Sequence, residues 1–230
     1  MDARSAAQVP ADDPEALYKD RDNLASAKTA AEIWAARLAA DPRDFDAARR
    51  LAQARYWLGT HGLPEPERKA ALEAGIAAAR SAIAIHANRP DGHFWLAANM
   101  GALAESFGLR QGIKYRGQIK DALLTTLKLD AGFLQGSADR ALGRWYFKVP
   151  GLFGGSNKQS EVHLRKSLTY NPNSVISHLF LAETLEDMGR KDDARKECQA
   201  AIDAPFDPDW TPEDKRFKEI AKRLLRDLQR

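Results

Sequence analysis

The sequence has a single cysteine, few β-branched residues and no long apolar run. Cys198 stands alone, which excludes an intramolecular disulfide and a cysteine-rich metal site. No segment reaches the roughly 18–20 consecutive apolar residues that a transmembrane helix needs, and the start of the chain lacks the basic-then-apolar order of a signal peptide. Either the protein is cytoplasmic, or the sequence is a processed or trimmed form; we keep both possibilities open.

Strand-forming residues are scarce, while helix-forming residues are abundant. The 230 residues include nine Ile, four Val and seven Thr, against 40 Ala and 25 Leu. Ala and Leu lose little conformational freedom in a helix, whereas β-branched residues suit strands. The hydrophobic fraction of 44% and the charged fraction of 29% are typical of a folded globular protein. This composition predicts an all-α protein.

The chain repeats itself at an interval close to that of a helical hairpin. Aliphatic residues followed by Asp, Asn or Pro recur at Leu38, Ile83, Leu127, Leu168 and Ile202, at intervals of 45, 44, 41 and 34 residues. A large-small pair recurs between them, and the fullest internal match joins His93–Ala97 to His178–Ala182. This alternation predicts tetratricopeptide-like (TPR-like) hairpin repeats that form a short superhelix.

The repeat unit after Val175 fits this plan best. Gly189 is placed to end its first helix, and Ala194, Cys198 and Ala201 share one face of its second helix. We predict a flexible segment at 1–12, then one domain at 13–230 that ends in a capping helix, with Asp13 and Thr211 as candidate N-caps. The predicted helices are 14–22, 24–40, 43–59, 65–87, 91–107, 111–129, 133–147, 157–170, 174–188, 190–203 and 212–229.

No motif in the sequence indicates catalysis. The five histidines lack metal-ligand spacing, and His93 and His178 occupy equivalent repeat positions, which favours a structural role. The glycine-rich stretch after Val149 lacks the order of a phosphate-binding P-loop, and no nucleophile motif is present. We therefore predict that the protein is not an enzyme and holds neither a metal nor a cofactor.

Positive charge is concentrated in the middle of the chain. Residues 106–170 contain eleven Lys and Arg against four acidic residues, although the net charge of the whole chain is only +3. A glycine-rich loop with aromatic neighbours lies in this stretch, and Ser156 or Asn157 would cap the helix after it. A pocket for a carboxylate or another anion is one interpretation; the alternative is a long hairpin turn with solvated charges and core aromatics. The candidate ligand-binding or partner-binding residues are Arg140, Arg144, Trp145, Tyr146, Phe153 and Lys158.

Two other aromatic pairs, Tyr56-Trp57 and Phe94-Trp95, are expected mainly in the core. Nucleic acid is not expected as a partner, because the basic residues are spread over several helices and match no nucleic-acid-binding motif.

The run from Ala138 to Phe147, with the Pro150-Gly151 and Gly154-Gly155 steps after it, resembles the TatT-like family. The segment from Tyr170 to Arg190 is also similar to that family. These proteins are the TPR-containing T components of tripartite ATP-independent periplasmic (TRAP) transporters, and regulators of microtubule dynamics share a related helical pattern. The resemblance implies an all-α fold with a tunnel or concavity, and association with a periplasmic solute-binding protein. It also implies a periplasmic or outer-membrane-associated location if a signal segment has been removed; otherwise we expect a cytoplasmic protein.

Two functional hypotheses follow. The first is a non-enzymatic TatT-like scaffold that binds a periplasmic solute-binding partner and, in addition, an anionic or amphipathic small ligand. The alternative is a general TPR adaptor that binds a protein or peptide in its groove without a small ligand. Self-association of the chain is compatible with either hypothesis.

Overall fold

The computed structural model describes residues 13–61 and 63–230; the segment 1–12, predicted to be flexible, lies outside them. Within this part of the chain the fold is all-α, and none of its helices is long and apolar enough to cross a membrane. The helices are α1 (Pro14–Lys19), α2 (Leu24–Ala40), α3 (Phe45–Thr60), α4 (Glu65–Ile85), α5 (Pro90–Ser106), α6 (Leu109–Leu129), α7 (Phe133–Lys148), α8 (Asn157–Tyr170), α9 (Val175–Asp187), α10 (Lys191–Asp203) and α11 (Thr211–Leu228).

Short polar side chains begin several of these helices, as the sequence predicts. The Asp13 carboxylate accepts a hydrogen bond from the Glu15 amide, and the Ser156 hydroxyl accepts one from the Gln159 amide. The prediction for Thr211 is wrong by one position: Thr211 is the first residue of α11, and its hydroxyl donates to the carbonyl of Asp207 instead of capping the helix. All eleven predicted helices are present, with ends that differ by at most three residues from the predicted ones.

The end of α9 confirms the predicted role of Gly189. This residue has a φ of +74°, a left-handed conformation that costs glycine little. The Gly189 amide donates to the carbonyl of Glu186, and the Arg190 amide donates to that of Leu185 at 2.9 Å. Together these two bonds form a Schellman motif, which ends α9 and turns the chain into α10.

Consecutive helices pack as hairpins, with α3 on α4, α5 on α6, α7 on α8 and α9 on α10. Adjacent hairpins also contact each other, and α11 packs on α9 and α10 as the capping helix. The result is the TPR-like superhelix that the repeats predict.

Two glycines, one in each of two hairpins, bring paired helices close together. A methyl group on Gly59 of α3 would overlap Leu72 of α4, and one on Gly143 of α7 would lie 2.5 Å from Cγ of Leu164 in α8. Both leucines are completely buried. A small residue at each of these two positions is therefore required by the packing of the two helices in the hairpin.

The two matching histidines make the same contact. His93 Nε2 lies 2.9 Å from the carbonyl oxygen of Ala87, and His178 Nε2 lies 2.9 Å from that of Pro172. In each case the ring bonds the backbone six residues upstream, at the turn before its helix. The structural role predicted for both histidines agrees with this geometry.

The first and last parts of the described chain meet. Arg21, in the turn after α1, forms a bidentate ion pair with Glu213 at the start of α11, with a shortest distance of 2.7 Å. The Arg21 guanidinium also bonds the carbonyl of Asp209 at 2.5 Å and lies over the ring of Trp57. In addition, Arg216 of α11 donates to the carbonyl of Thr60 at 2.9 Å. These contacts close the superhelix around its own concave face.

Candidate functional site

The concave side of the superhelix holds a cavity of about 620 Å³ that is partly open to solvent. Its wall is built from α3 to α7, α9 and α11, together with the loop after α7. This volume lies within the usual range for small-molecule sites. The aromatic side chains in the wall are Tyr56, Phe94, Trp95, Trp145, Phe153, Phe180, Trp210 and Phe217.

The aromatic pairs expected in the core serve both the core and the cavity. Trp57, Phe94 and Trp95 are buried, as predicted. Phe94 and Trp95 also line the cavity, and the Tyr56 ring packs against Trp95 with 5.7 Å between centroids. Since α3 and α5 share their apolar face with the cavity, the same rings stabilise the hairpins and form the wall.

Arg140 carries an uncompensated charge in this cavity. The residue lines the wall from α7, and its guanidinium has no hydrogen bond and no carboxylate within 4 Å among the described residues. Burial lowers the pKa of Arg140 from its ordinary value, and the negative charge of Asp214 opposes that shift. An arginine remains protonated in proteins despite such a shift. Arg140 therefore has no ion pair among the described residues, and the same is true of Arg68 and Arg116, which also line the cavity.

Arg144, one helical turn later, has a different environment. Its guanidinium bonds Glu105 of α5 at 3.1 Å and also bonds Glu183 of α9. It lies over the ring of Phe180, with 4.4 Å to the centroid. Arg144 thus bridges the two sides of the cavity wall, and both of its ion-pair partners come from other helices. Its charge is already compensated.

The glycine-rich loop after α7 is a tightly packed turn. A methyl group on Gly155 would overlap the carbonyl oxygen of Val149, and the Ser156 amide donates to the carbonyl of Tyr146 at 2.9 Å. Leu152 in this loop is 90% exposed, whereas its neighbour Phe153 lines the cavity. The loop therefore joins the cavity wall to the outer surface.

Four of the six predicted site residues come together at the cavity: Arg140, Arg144, Trp145 and Phe153. Tyr146 and Lys158 lie outside its lining, and a binding role for them stays a prediction. Tyr146 instead stacks on His163 of α8, with ring centroids 5.4 Å apart, because the helical turn carries it away from the face of Arg140 and Arg144. Lys158 is exposed at the start of α8.

Several cavity residues were not predicted from the sequence. Tyr56 and His61 come from α3 and its end, and Trp210, Asp214 and Phe217 come from the α11 region. These positions are more than 65 residues from Arg140 along the chain, so only the closure of the superhelix brings them to it. The sequence signal available was the amphipathic pattern of α11, which does not indicate what its apolar face contacts.

The cavity wall contains other polar groups, but most of them are neutral or already have hydrogen-bond partners. The Asp214 carboxylate accepts a hydrogen bond from the Asp207 amide at 2.9 Å, and burial raises its pKa. Burial also raises the pKa of Tyr56 to about 12, so its hydroxyl is neutral. Among residues 13–61 and 63–230, no group of three or more His, Cys, Asp or Glu side chains has the arrangement of a metal site.

Comparison with known proteins identifies two family models. The model of the TRAP transporter T-component family matches residues 92–230, and that of regulator of microtubule dynamics proteins 1–3 matches residues 14–153. No curated protein matches the chain.

Solved structures share the fold at low sequence identity. A thermophilic TPR protein of Thermus thermophilus is 18% identical, with a TM-score of 0.69 over 94% of this chain and 99% of that one. MamA is 14% identical, with a TM-score of 0.55 over 88% of this chain and 96% of its own. These similarities establish the TPR-like fold of the chain.

Proposed function

The chain belongs to the TRAP transporter T-component family, and its N-terminal part belongs to the regulators of microtubule dynamics. From this membership we propose that the chain is a non-enzymatic scaffold that binds a periplasmic solute-binding protein and holds a small anionic or amphipathic ligand. The observation that carries the ligand part is the cavity of about 620 Å³ on the concave side of the superhelix, with Arg140 in its wall. The partner and the periplasmic location rest on the family.

A mouth of the cavity is the natural place for the partner to dock. Leu152 is 90% exposed, and its neighbour Phe153 lines the cavity. Leu152 and Phe153 are both exposed, so they form adjacent apolar surface at this loop, and contiguous exposed apolar surface marks interaction sites. A partner bound at this loop would cover the route by which a ligand passes between the two proteins.

The alternative of a general TPR adaptor has less support. Such an adaptor grips an extended peptide in an open concave groove. In this chain the Arg21–Glu213 pair closes the superhelix, and Trp210 and Phe217 of the α11 region occupy part of the concave side. The remaining space suits a small molecule better than an extended peptide.

The partner is tested by biolayer interferometry between the immobilised chain and the solute-binding protein encoded beside it. We expect wild type to bind and Leu152→Asp to bind at least tenfold more weakly. Val162→Asp is the matched control, because Val162 is also exposed, at 58%, but lies on α8 outside the cavity lining. Absence of wild-type binding contradicts the proposed partner, and equal loss in both variants contradicts docking at this loop.

A further inference from the structure

Two cations of α6 lie over the aromatic residues beside the glycine-rich loop. The guanidinium carbon of Arg116 is 5.3 Å from the centroid of the Phe153 ring. Lys120 Nζ is 4.9 Å from the ring centroids of both Trp145 and Tyr146. The Trp145 indole N–H donates to the carbonyl of Arg116 at 2.9 Å, which holds α6 against the end of α7. Because each cation rests on a ring, both side chains have a defined position before any partner binds.

Neither of these two cations is neutralised within the described part of the chain. Arg116 donates one N–H to the carbonyl of Ile113 in its own helix at 2.7 Å, and neither Arg116 nor Lys120 forms an ion pair with a described residue. Glu105 already has an arginine partner in α7, and Asp121 lies about 100° around α6 from Lys120. The two positive charges, one helical turn apart on one face of α6, are therefore available to a partner.

Exposed apolar side chains lie beside these two cations. Leu152 is 90% exposed, and Ile113 and Phe153 are each 39% exposed while they also line the cavity. Phe153 contacts Arg116 through its ring, and Ile113 contacts it through its carbonyl. We call this group of five residues the mouth patch: Ile113, Arg116, Lys120, Leu152 and Phe153. The mouth patch combines two unpaired positive charges with exposed apolar surface at the rim of the cavity.

The composition of the mouth patch favours a protein segment over a lipid surface. Sites that attract anionic lipids usually contain clusters of about four to eight Lys or Arg residues, whereas the mouth patch has two cations. A guanidinium binds a carboxylate through two parallel hydrogen bonds, and Arg116 keeps N–H groups that bond no described residue. Arginine and exposed aromatic side chains are also frequent anchors of protein–protein interfaces. A carboxylate of a partner protein can therefore satisfy this charge while apolar contact is made beside it.

From this arrangement, and resting on the proposed docking at the glycine-rich loop, we infer that the mouth patch recognises an acidic segment of the partner protein. Asp or Glu residues of that segment pair with the two cations of α6, and an apolar residue between them packs on Leu152 and Phe153. Complementary charge speeds the encounter and fixes the orientation in which the partner docks. The loop thus supplies apolar contact area, and α6 supplies the selectivity for negative charge.

Fluorescence anisotropy with three labelled twelve-residue peptides tests this selectivity. Each peptide has a central Leu-Phe pair, and its flanking residues are all Glu, all Gln or all Lys. We expect wild type to bind the Glu peptide at least tenfold more tightly than the Gln peptide in 50 mM NaCl, and to bind the Lys peptide more weakly than either. Raising NaCl to 500 mM should remove most of the difference between the Glu and Gln peptides, because salt screens exposed charges.

The double variant with Arg116→Gln and Lys120→Gln loses both charges, so it is expected to bind the Glu and Gln peptides with equal affinity. Arg80→Gln is the matched control, because Arg80 is an exposed residue of α4 outside the cavity lining. This control should leave the affinity for each peptide within twofold of the wild-type value. Thermal unfolding of each variant separates loss of binding from loss of folding.

Equal affinity of wild type for the Glu and Gln peptides overturns the inference, as does an equal loss of Glu-peptide binding in Arg80→Gln and the double variant. Sedimentation with phosphatidylglycerol vesicles supplies a second arm. Vesicle binding that the double variant loses, without binding of the Glu peptide to wild type, overturns the inference in favour of a lipid surface. The peptides do not involve the solute-binding protein, which is judged by its own interferometry experiment, so the two proposals fail separately.

Discussion

Residues with the same local sequence signal have different roles in this protein. Arg140 and Arg144 lie on the same face of α7, and their spacing gives no reason to separate them. They differ because Glu105 and Glu183, each 39 residues from Arg144 along the chain, pair with the second arginine. Arg140 has no such partner among the described residues. The chemistry of each side chain is thus decided by contacts that are distant in sequence.

His61 provides a prediction at this scale. Burial and the nearby charge of Arg216 lower its pKa from 6.5 to about 4, while the ring stacks on Trp57 with centroids 3.6 Å apart. The unfolded chain therefore binds a proton at His61 below pH 6.5 that the folded chain does not bind until about pH 4. Stability falls as the pH drops through this window, by about 1–2 kcal/mol between pH 6.5 and pH 5 from this group.

The measurement is urea unfolding of wild type and His61→Phe at pH 7.5 and pH 5.0. Phe keeps a flat ring against Trp57 but does not titrate, so the other titrating groups cancel in the comparison. Wild type should lose more stability on acidification than the variant does. The same loss in both proteins contradicts the prediction.

The positions at which helices begin in this fold are determined by local sequence, but the distance between paired helices is determined by small residues. Capping side chains such as Asp13 and Ser156 begin helices where the sequence places them. Close approach within a hairpin depends on residues such as Gly143, which faces the buried Leu164. The large-small pattern of the repeats therefore reflects helix packing as well as helix formation.

Gly143→Ala tests this at the scale of one hairpin. The added methyl group would lie 2.5 Å from Leu164 Cγ, so α7 and α8 must move apart, at a cost of about 1–3 kcal/mol in the free energy of unfolding. Gly117→Ala in α6 is the matched control, because a methyl group there meets no atom within 4 Å. It should stabilise the protein by about 1 kcal/mol through helix propensity. Chemical denaturation distinguishes them, and equal effects of the two substitutions would contradict the packing explanation.

At the scale of the whole molecule, the cavity exists because the superhelix closes. Side chains from α3 to α11 line it, and the ion pair between Arg21 and Glu213 joins residues 192 apart in sequence. Their side chains are only 5% and 12% exposed. Because a buried charge left without its partner is destabilising, this pair is expected to matter more than the exposed pairs of the surface.

A double-mutant cycle with Arg21→Met and Glu213→Met measures the contribution of this pair. Each single substitution is expected to cost about 3 kcal/mol because it leaves one charge buried alone, and the double variant should cost less than the sum of the two. Lys28→Met, which breaks an exposed pair with Glu67, should change stability by no more than about 1 kcal/mol. Additive effects in the cycle, seen in denaturant unfolding, would argue against coupling between the two ends.

The sequence alone determined the all-α class, the eleven helices and the repeat plan, because helix propensity, capping and small-residue spacing act within a few tens of residues. It also pointed to the face of α7 that carries Arg140 and Arg144. Only the tertiary structure decided that Arg144 is paired, that Arg140 is not, and that Tyr146 and Lys158 lie outside the cavity. Closure of the superhelix brings α11 and the glutamates to the site, and such contacts between distant residues leave no periodic pattern in the sequence.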